Sequence, residues 1–270
     1  MAKTVLITGA SAGIGYAAAE LLLKEGWTVY AAARRVEKMR PLEAAGARLL
    51  KLDVTDEASL REAAAAVLAA GPLDALVNNA GYGAHGAVED VPLAEARRQF
   101  EVNLFGLARL TQLVLPRMRG QGGGRIINIS SIAGKVTMPT GGWYHASKHA
   151  LEAYSDALRM ETAQFGIKVV LIEPGPIRTE WDNTALVNLQ KYSGAGPYGP
   201  MVKRITERFR AGYREGAPGP EAVAAVILKA LEAPRPAARY AVPFKASLII
   251  LLRLLLPDRL WDWAIRKAVG

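Results

Sequence analysis

Tyr144 and Lys148 form a Tyr-x-x-x-Lys pair, and two such side chains can turn a phenol into a general acid. Free tyrosine titrates near 10, so at neutral pH it gives up and takes up protons poorly. Positions i and i+4 share a helix face, which would set the Lys148 ammonium close to the Tyr144 phenol. At an effective dielectric of about 20, a charge ~4.5 Å away is worth roughly 4 kcal/mol. That is about the amount that lowers a phenol by ~3 pKa units. With 9 tyrosines in 270 residues, such a pair arises by chance in roughly four chains of ten, the ordinary risk of a short motif. Its weight comes from the residues around it.

A glycine-rich run, Thr8-Gly9-Ala10-Ser11-Ala12-Gly13-Ile14-Gly15, lies near the amino terminus between a strand-like and a helical segment. Gly9, Gly13 and Gly15 lack Cβ atoms, so the turn can be tight and its backbone can approach a pyrophosphate at a helix amino terminus. The spacing Gly-x-x-x-Gly-x-Gly differs from the usual dinucleotide fingerprint. Further along come Asn78-Asn79-Ala80-Gly81, Asn103, Ser131, the Tyr144–Lys148 pair and Pro174-Gly175.

These motifs, in this order, resemble the short-chain dehydrogenase/reductase family. Ser131 precedes Tyr144 by 13 positions, the spacing of its compact single-domain branch. The resemblance runs from about residue 3 to residue 180 and more loosely to about 242. It implies a catalytic set of Asn103, Ser131, Tyr144 and Lys148. Tyr144 would exchange a proton with the substrate oxygen. Lys148 would tune Tyr144 and hold the nicotinamide ribose. Ser131 would polarise the carbonyl, with the adjacent Ser130 as its rival. Asn103, inside a long helix, would hold a water in a relay to Lys148. The resemblance also implies cofactor contacts: Gly9, Ser11, Gly13, Ile14 and Gly15 in the turn, and Asp53 and Val54 at the adenine. Asn79, Ala80 and Gly81 would flank the adenosine ribose. Pro174, Gly175, Ile177 and Thr179 would lie by the nicotinamide carboxamide.

Cofactor choice is expected at the end of the second strand. NAD enzymes usually place an acidic residue there for the ribose hydroxyls. This chain has Ala33, then Arg34 and Arg35. Alanine accepts nothing, and Arg34 can pair with a 2′-phosphate. NADP(H) is therefore expected over NAD(H), with Arg35 as a second contact.

Apolar β-type runs over 4–8, 28–32, 48–52, 75–78, 125–130, 168–173 and 239–242 alternate with helical patterns over 58–69, 93–118, 146–164 and 221–232. Strands without apolar–polar alternation fit a parallel sheet buried on both faces. The alternation predicts an α/β, Rossmann-type doubly wound parallel sheet, as a single catalytic domain over 1–243 with a C-terminal helical extension. Prolines and glycines break the pattern over 175–218, which reads as a long loop, and 181–215 as a lid. Trp181, Tyr192, Tyr198 and Met201 would face the ligand. Residues 244–270 form an apolar tail in which 244–268 is expected as two short helices. They would wall the substrate entrance and touch a membrane surface, or else pack on the domain or a partner subunit.

The chain has no cysteine, which excludes disulfides and thiolate chemistry. The histidines, His85, His145 and His149, do not complete a metal pattern, so no metal is expected. The net charge of +9 is dispersed without aromatic interleaving, which disfavours nucleic acid. A strand run starting near Met1 leaves no room for a signal peptide, and no apolar run is long enough to cross a bilayer. A cytoplasmic protein is expected, with surface association at a membrane open.

The function that follows is interconversion of a ketone or aldehyde with an alcohol. Segment 173–179 and the tail resemble hydroxysteroid and retinol dehydrogenase-like members, which implies a lipophilic substrate. Family members commonly pair through the long helices that correspond to 93–118 and 146–164, so a homodimer or homotetramer is implied. Alternatives are an NADPH-binding regulator without turnover and a membrane-surface lipid-binding protein.

Overall fold

The computed structural model describes residues 2–214 and 216–269; residue 1, the 215 end of the expected lid and residue 270 of the extension lie outside them. Strands form where the apolar runs lie: β1 (Thr4–Thr8), β2 (Thr28–Ala33), β3 (Arg48–Lys51), β4 (Ala75–Asn78), β5 (Gly124–Ile129), β6 (Ile167–Pro174) and β7 (Arg239–Val242). Among the described residues they make one sheet in the order β3-β2-β1-β4-β5-β6-β7, with every pairing parallel. The strand edges depart from expectation by one residue at most.

The helices are α1 (Gly13–Lys24), α2 (Arg40–Ala44), α3 (Glu57–Ala69), α4 (Leu93–Phe100), α5 (Gly106–Gly120), α6 (Gly142–Thr162), α7 (Trp181–Ser193), α8 (Gly199–Arg214), α9 (Pro220–Glu232), α10 (Phe244–Leu255) and α11 (Asp258–Val269). Successive strand side chains point to opposite faces. Val5 and Ile7 therefore enter one core with Leu22 of α1, Leu42 of α2 and Ile227 of α9. Leu6 enters the other with Leu60 of α3, Leu110 of α5 and Leu158 of α6. Covered on both faces, the sheet is a Rossmann-type doubly wound α/β fold. Its strand order reverses between β1 and β4, and ligands in such sheets bind over the carboxyl ends at that point.

Three expectations change. The helix expected over 93–118 runs unbroken over 93–120 but is not α-helical throughout, because Glu101–Phe105 is a π-helical turn between α4 and α5. The extra residue in a wide turn leaves the apolar period almost intact on either side. The long loop expected over 175–218 is largely helical, in α7 and α8. Its prolines mark ends of elements: Pro200 is the second residue of α8, where a missing N–H costs nothing. The ligand-facing surface expected of the lid is also only half right. Trp181 and Tyr192 line the central cavity. Tyr198 instead turns its hydroxyl to Glu89 Oε1 at 2.6 Å, and Met201 packs between α7 and α8 with Leu189 and Val202.

The tail forms α10 and α11. Trp261 is buried and Ile265 packs onto the α7–α8 cluster. Most of α10 is open: Phe244 is 77%, Leu254 74% and Leu255 70% exposed. No described helix is long and apolar enough to cross a membrane.

Candidate active site

Tyr144 and Lys148 lie in the first two turns of α6, both buried. The Lys148 ammonium donates to Ile129 O, at the end of β5, at 2.8 Å. It lies 6.0 Å from the Tyr144 ring centroid. At that range two charges interact by roughly 3 kcal/mol at an effective dielectric of about 20. Burial pushes the Lys148 ammonium down to about 8, with Glu152, one turn further along α6, opposing it. Lys148 therefore remains a cation at neutral pH, held by a carbonyl instead of a carboxylate.

A string of buried polar side chains fixes α6 against the sheet. Register puts Asn78 of β4 beside Asn128 of β5. The Asn78 amide donates to Asn128 Oδ1 (2.9 Å) and to Thr111 Oγ1 of α5 (3.1 Å), and Asn128 Nδ2 donates to Ser155 Oγ of α6 (2.9 Å). Asn128, Thr111 and Ser155 carried no sequence signal, because they belong to no motif and meet only through the packing of α5 and α6 on the sheet.

The π turn aims Asn103 inward and leaves it fully buried. Its Nδ2 donates to Tyr82 O (2.9 Å) and Ser147 Oγ (3.1 Å), and its Oδ1 accepts from Tyr82 N (3.0 Å). The side chain thus clamps the loop after β4 to α6. A Cβ placed on Gly81 would lie 3.2 Å from Asn103 Oδ1 and 3.8 Å from Lys148 Nζ, so all three crowd one corner.

Ser131 begins the short turn after β5. Its hydroxyl accepts from Ala133 N at 3.1 Å and donates to Pro174 O at 3.2 Å. It is partly open, whereas Ser130 is 3% exposed with an Oγ that has no partner among the described residues. Both line the cavity.

The glycine turn meets the requirement of a dinucleotide. Gly9 has φ +68°, and a Cβ there would sit 2.8 Å from Asn79 Nδ2 and 2.9 Å from Ala80 Cα. Gly15 is wedged between Gly9 O and Asn79. The Asn79 amide is directed at the turn itself, donating to Thr8 O (2.9 Å) and Gly9 O (3.3 Å), so it shapes the cradle. Helix α1 has no side-chain cap and no acid in its first turn. Its first N–H groups thus face the cavity as anion donors, so the residues fit a bound pyrophosphate.

At the far end, Arg34 follows β2 beside Asp53. Burial raises the Asp53 carboxyl, but hydrogen bonds from Thr55 and the charges of Arg34 and Arg98 outweigh it and leave it below the ordinary value. Arg98, absent from the sequence reading, lines the cavity there. Arg35 hydrogen-bonds Ser11 Oγ (3.3 Å) and pairs with Glu180 Oε2 (3.1 Å). Ile14, Val54, Ala80, Gly81, Pro174, Gly175, Ile177 and Thr179 all line the same cavity of about 790 Å³, together with Ser131, Tyr144 and Lys148. Asn103 and Gly15 stand behind that wall.

The chain matches the short chain dehydrogenase family model over residues 3–188. It is 39% identical over 265 residues to the probable short-chain type dehydrogenase/reductase VdlC of Helicobacter pylori, covering 98% of this chain and 97% of that protein. Identity is 37% over 270 residues to a 3-ketodihydrosphingosine reductase of Bacteroides thetaiotaomicron, covering 98% and 97%. It is also 37% over 276 residues to an NADPH-dependent 3-dehydrocapnine reductase of Ornithobacterium rhinotracheale, covering 96% and 95%. A solved short-chain dehydrogenase from Streptomyces avermitilis aligns with a TM-score of 0.82 at 37% identity, covering 94% and 92% of the two chains. One from Burkholderia phymatum in complex with NAD aligns at 0.81 and 27% identity, covering 94% and 93%. With most of its length matched by the family model and nearly all of it by these relatives, the chain belongs to the short-chain dehydrogenase/reductase family and is an NAD(P)-dependent oxidoreductase.

Proposed function

We propose that the protein interconverts a lipophilic ketone or aldehyde with its alcohol and prefers NADP(H) to NAD(H). The observation carrying this reading is that Ser131, Tyr144 and Lys148 meet the glycine turn across a single cavity. When bound, the nicotinamide supplies or accepts the hydride. Tyr144 holds the proton exchanged with the substrate oxygen. The Lys148 ammonium favours the phenolate as that proton leaves, an effect strengthened by burial. Ser131 Oγ turns from Pro174 O to donate to the same oxygen. Asn103, beside Gly81 and Lys148, is the anchor for a water that refills the proton.

Lipophilicity is supported by Met138, Trp181, Ile205 and Phe209 in the cavity wall, and by two relatives whose names are those of a keto-compound and a dehydro-compound reductase. NADP(H) preference is supported by the absence of an acid after β2 and by Arg34 and Arg98 at the adenosine end. The test is loss of NADPH absorbance with a panel of long-chain ketones and aldehydes, and its gain from NADP+ with the matching alcohols. No turnover on any of them, in either direction, would overturn the reading.

A second reading, peripheral contact with a membrane, is favoured by α10. Its exposed leucines lie beside Lys245 and Arg253, and Arg259, Arg266 and Lys267 follow on α11. An apolar face with a basic fringe suits an anionic lipid surface, which would also be the reservoir of a lipophilic substrate.

A further inference from the structure

Glu152 of α6 and Glu173 of β6 are almost fully buried, 4% and 3% exposed, and neither lines the central cavity. A buried carboxylate is costly unless it is paired, and both belong to one cluster of charges. Glu152 Oε2 accepts from Lys135 Nζ (2.8 Å) and from Arg239 Nε of β7 (3.0 Å). The same Arg239 Nε lies 3.4 Å from Glu173 Oε1, so the two carboxyls stand side by side. Arg239 Nη2 donates to Asp156 Oδ2 (2.6 Å), one turn further along α6, and Asp156 Oδ1 also pairs with Arg159 (3.1 Å).

Hydrogen-bond donors fall short in this cluster. Glu152 Oε1 and Glu173 Oε1 are both buried without a hydrogen-bond partner among the described residues, whereas buried polar atoms in folded proteins are almost always satisfied. A proton held between the two carboxyls is a donor, and it removes the repulsion of two like charges in one site. Burial, then the charge of Glu152, push the Glu173 carboxyl up to about 7 against the pull of Lys135 and Arg239, and its contact with Glu152 adds to the rise.

Lys135, Glu152 and Glu173 lie in the segments that carry the candidate active site. Lys135 closes the turn that Ser131 opens: Gly134 N donates to Ser131 O and Lys135 N to Ile132 O, both at 2.9 Å. That turn rests on α6, where a Cβ on Gly134 would be 2.8 Å from Glu152 Cγ and 3.1 Å from Lys148 O. Glu173 precedes Pro174, whose carbonyl accepts the Ser131 hydroxyl at 3.2 Å. The charges facing the acid pair are Lys148 and Asp156 from α6, Lys135 from the turn and Arg239 from β7. Helix α10 also packs against the turn. Of its cations, Arg253 pairs with Asp258 (2.7 Å) and Lys245 makes no ion pair among the described residues.

We propose that Glu152 and Glu173 share one proton and act as positioning residues for Ser131 and Lys148. With the proton in place the pair holds Lys135 and Arg239 together, which seats the Ser131 turn on α6 and keeps Pro174 against it. Without it two buried anions repel, and the turn and Pro174 shift relative to Lys148. This rests on the reading that Ser131 and Lys148 serve a carbonyl reduction. Neither acid touches substrate or cofactor.

The experiment follows kcat for reduction of a ketone or aldehyde by NADPH from about pH 5 to about pH 9. In wild type, kcat should fall through a step centred near 7. The fall should be at least about threefold, within the ~100-fold that a displacement of about 1 Å can cost. Glu173→Gln keeps a donor and cannot ionise, so it should remove this step, whatever it does to the plateau rate. Glu152→Gln takes away a charge that raises Glu173, so the step should move to lower pH. A cluster that only stabilised the fold would lower the rate in both variants and leave the step in place. No step near 7 in wild type, the same step in Glu173→Gln, or an unmoved step in Glu152→Gln overturns the proposal. Failure of every carbonyl to turn over defeats the wider functional reading instead, and a second measurement then decides, needing neither turnover nor a variant. In the wild-type protein with NADP+, the Glu173 Cδ ¹³C resonance and the amide ¹⁵N resonances of Ala133 and Gly134 should titrate together with a midpoint near 7. A Glu173 carboxyl that titrates in the ordinary carboxylate range, or amides that do not move with it, overturns the proposal.

Discussion

Lys148 is kept where an ammonium is costly. Burial lowers it from the ordinary 10.5 to about 8. Between those values the unfolded chain binds a proton that the folded chain has lost, so stability rises with pH across that window, and below pH 8 the whole penalty is present. Lys148→Met should therefore raise stability at pH 7 by on the order of 1–3 kcal/mol, reduced by the lost bond to Ile129 O, while abolishing turnover. Denaturant melts at pH 7 and pH 10 check this, because the gap between variant and wild type should narrow at the higher pH. A variant less stable at pH 7 would mean that Lys148 is structural. Tyr144→Phe tests the chemistry separately. It removes the exchanged proton and leaves the glycine turn intact, so kcat should fall at least ~100-fold while cofactor titration by fluorescence changes little. Retention of more than a few per cent of kcat would remove Tyr144 from the proton path. At the other end of the cavity, wild type should bind NADPH more tightly than NADH by roughly 1–3 kcal/mol, the worth of a charge-assisted hydrogen bond. Arg34→Asp should erase or reverse this, and equal wild-type affinities in the same titration would leave Arg34 without the assigned role.

At the scale of elements, the π turn and α7 matter most. An ordinary α-helical turn at Glu101–Phe105 would rotate Asn103 away from Tyr82 and Ser147, so the local widening is what delivers a polar side chain to the corner shared with Lys148. Helix α7 starts at Trp181 against Tyr144 and is preceded by Glu180, which pairs with Arg35 at 3.1 Å and Lys38 at 3.2 Å. These exposed pairs are individually weak, and α7–α8 rests on a small apolar cluster of its own. Few buried contacts imply easy local opening. Amide exchange across 181–214 should accordingly be faster than in β1 or β5 in the free protein, and slower when cofactor and a product alcohol are both bound. Exchange unaltered by both ligands would argue against a lid.

For the whole molecule, the open question is what α10 meets. A helix with Leu251, Leu252, Leu254 and Leu255 about half exposed or more is an unusual surface for a solitary soluble chain. Flotation with anionic liposomes at low salt should carry the full-length protein upward, and a chain ending at Val242 should stay with the soluble fraction. Identical behaviour of the two would remove the membrane contact. A groove lined by Leu93, Phe100, Phe105 and Trp143 on the outer side of α4 and α6 supports the expected pairing of subunits through these helices, which light scattering of the purified protein measures directly.

The sheet, the glycine turn and the helical pairing of Tyr144 with Lys148 were legible in the sequence because each is encoded locally. A buried parallel strand must be apolar throughout, a turn crossing Asn79 admits only glycine, and the pair Tyr144–Lys148 needs only helical spacing. The π turn was not legible, since one inserted residue barely disturbs a 3.6-residue period. Nor was the helical character of 181–214, since proline and glycine mark a helix end as readily as a loop. The string Asn78–Thr111–Asn128–Ser155, the Asn103 clamp, the Arg98 charge beside Asp53 and the approach of His85 to Tyr144 join positions 21 to 59 residues apart, and nothing local announces them. The sequence alone thus determined which groups could do chemistry and on what kind of scaffold. Only tertiary structure decided which of them share a cavity, because burial, distance and the dielectric around a charge belong to the packed chain and not to any segment of it.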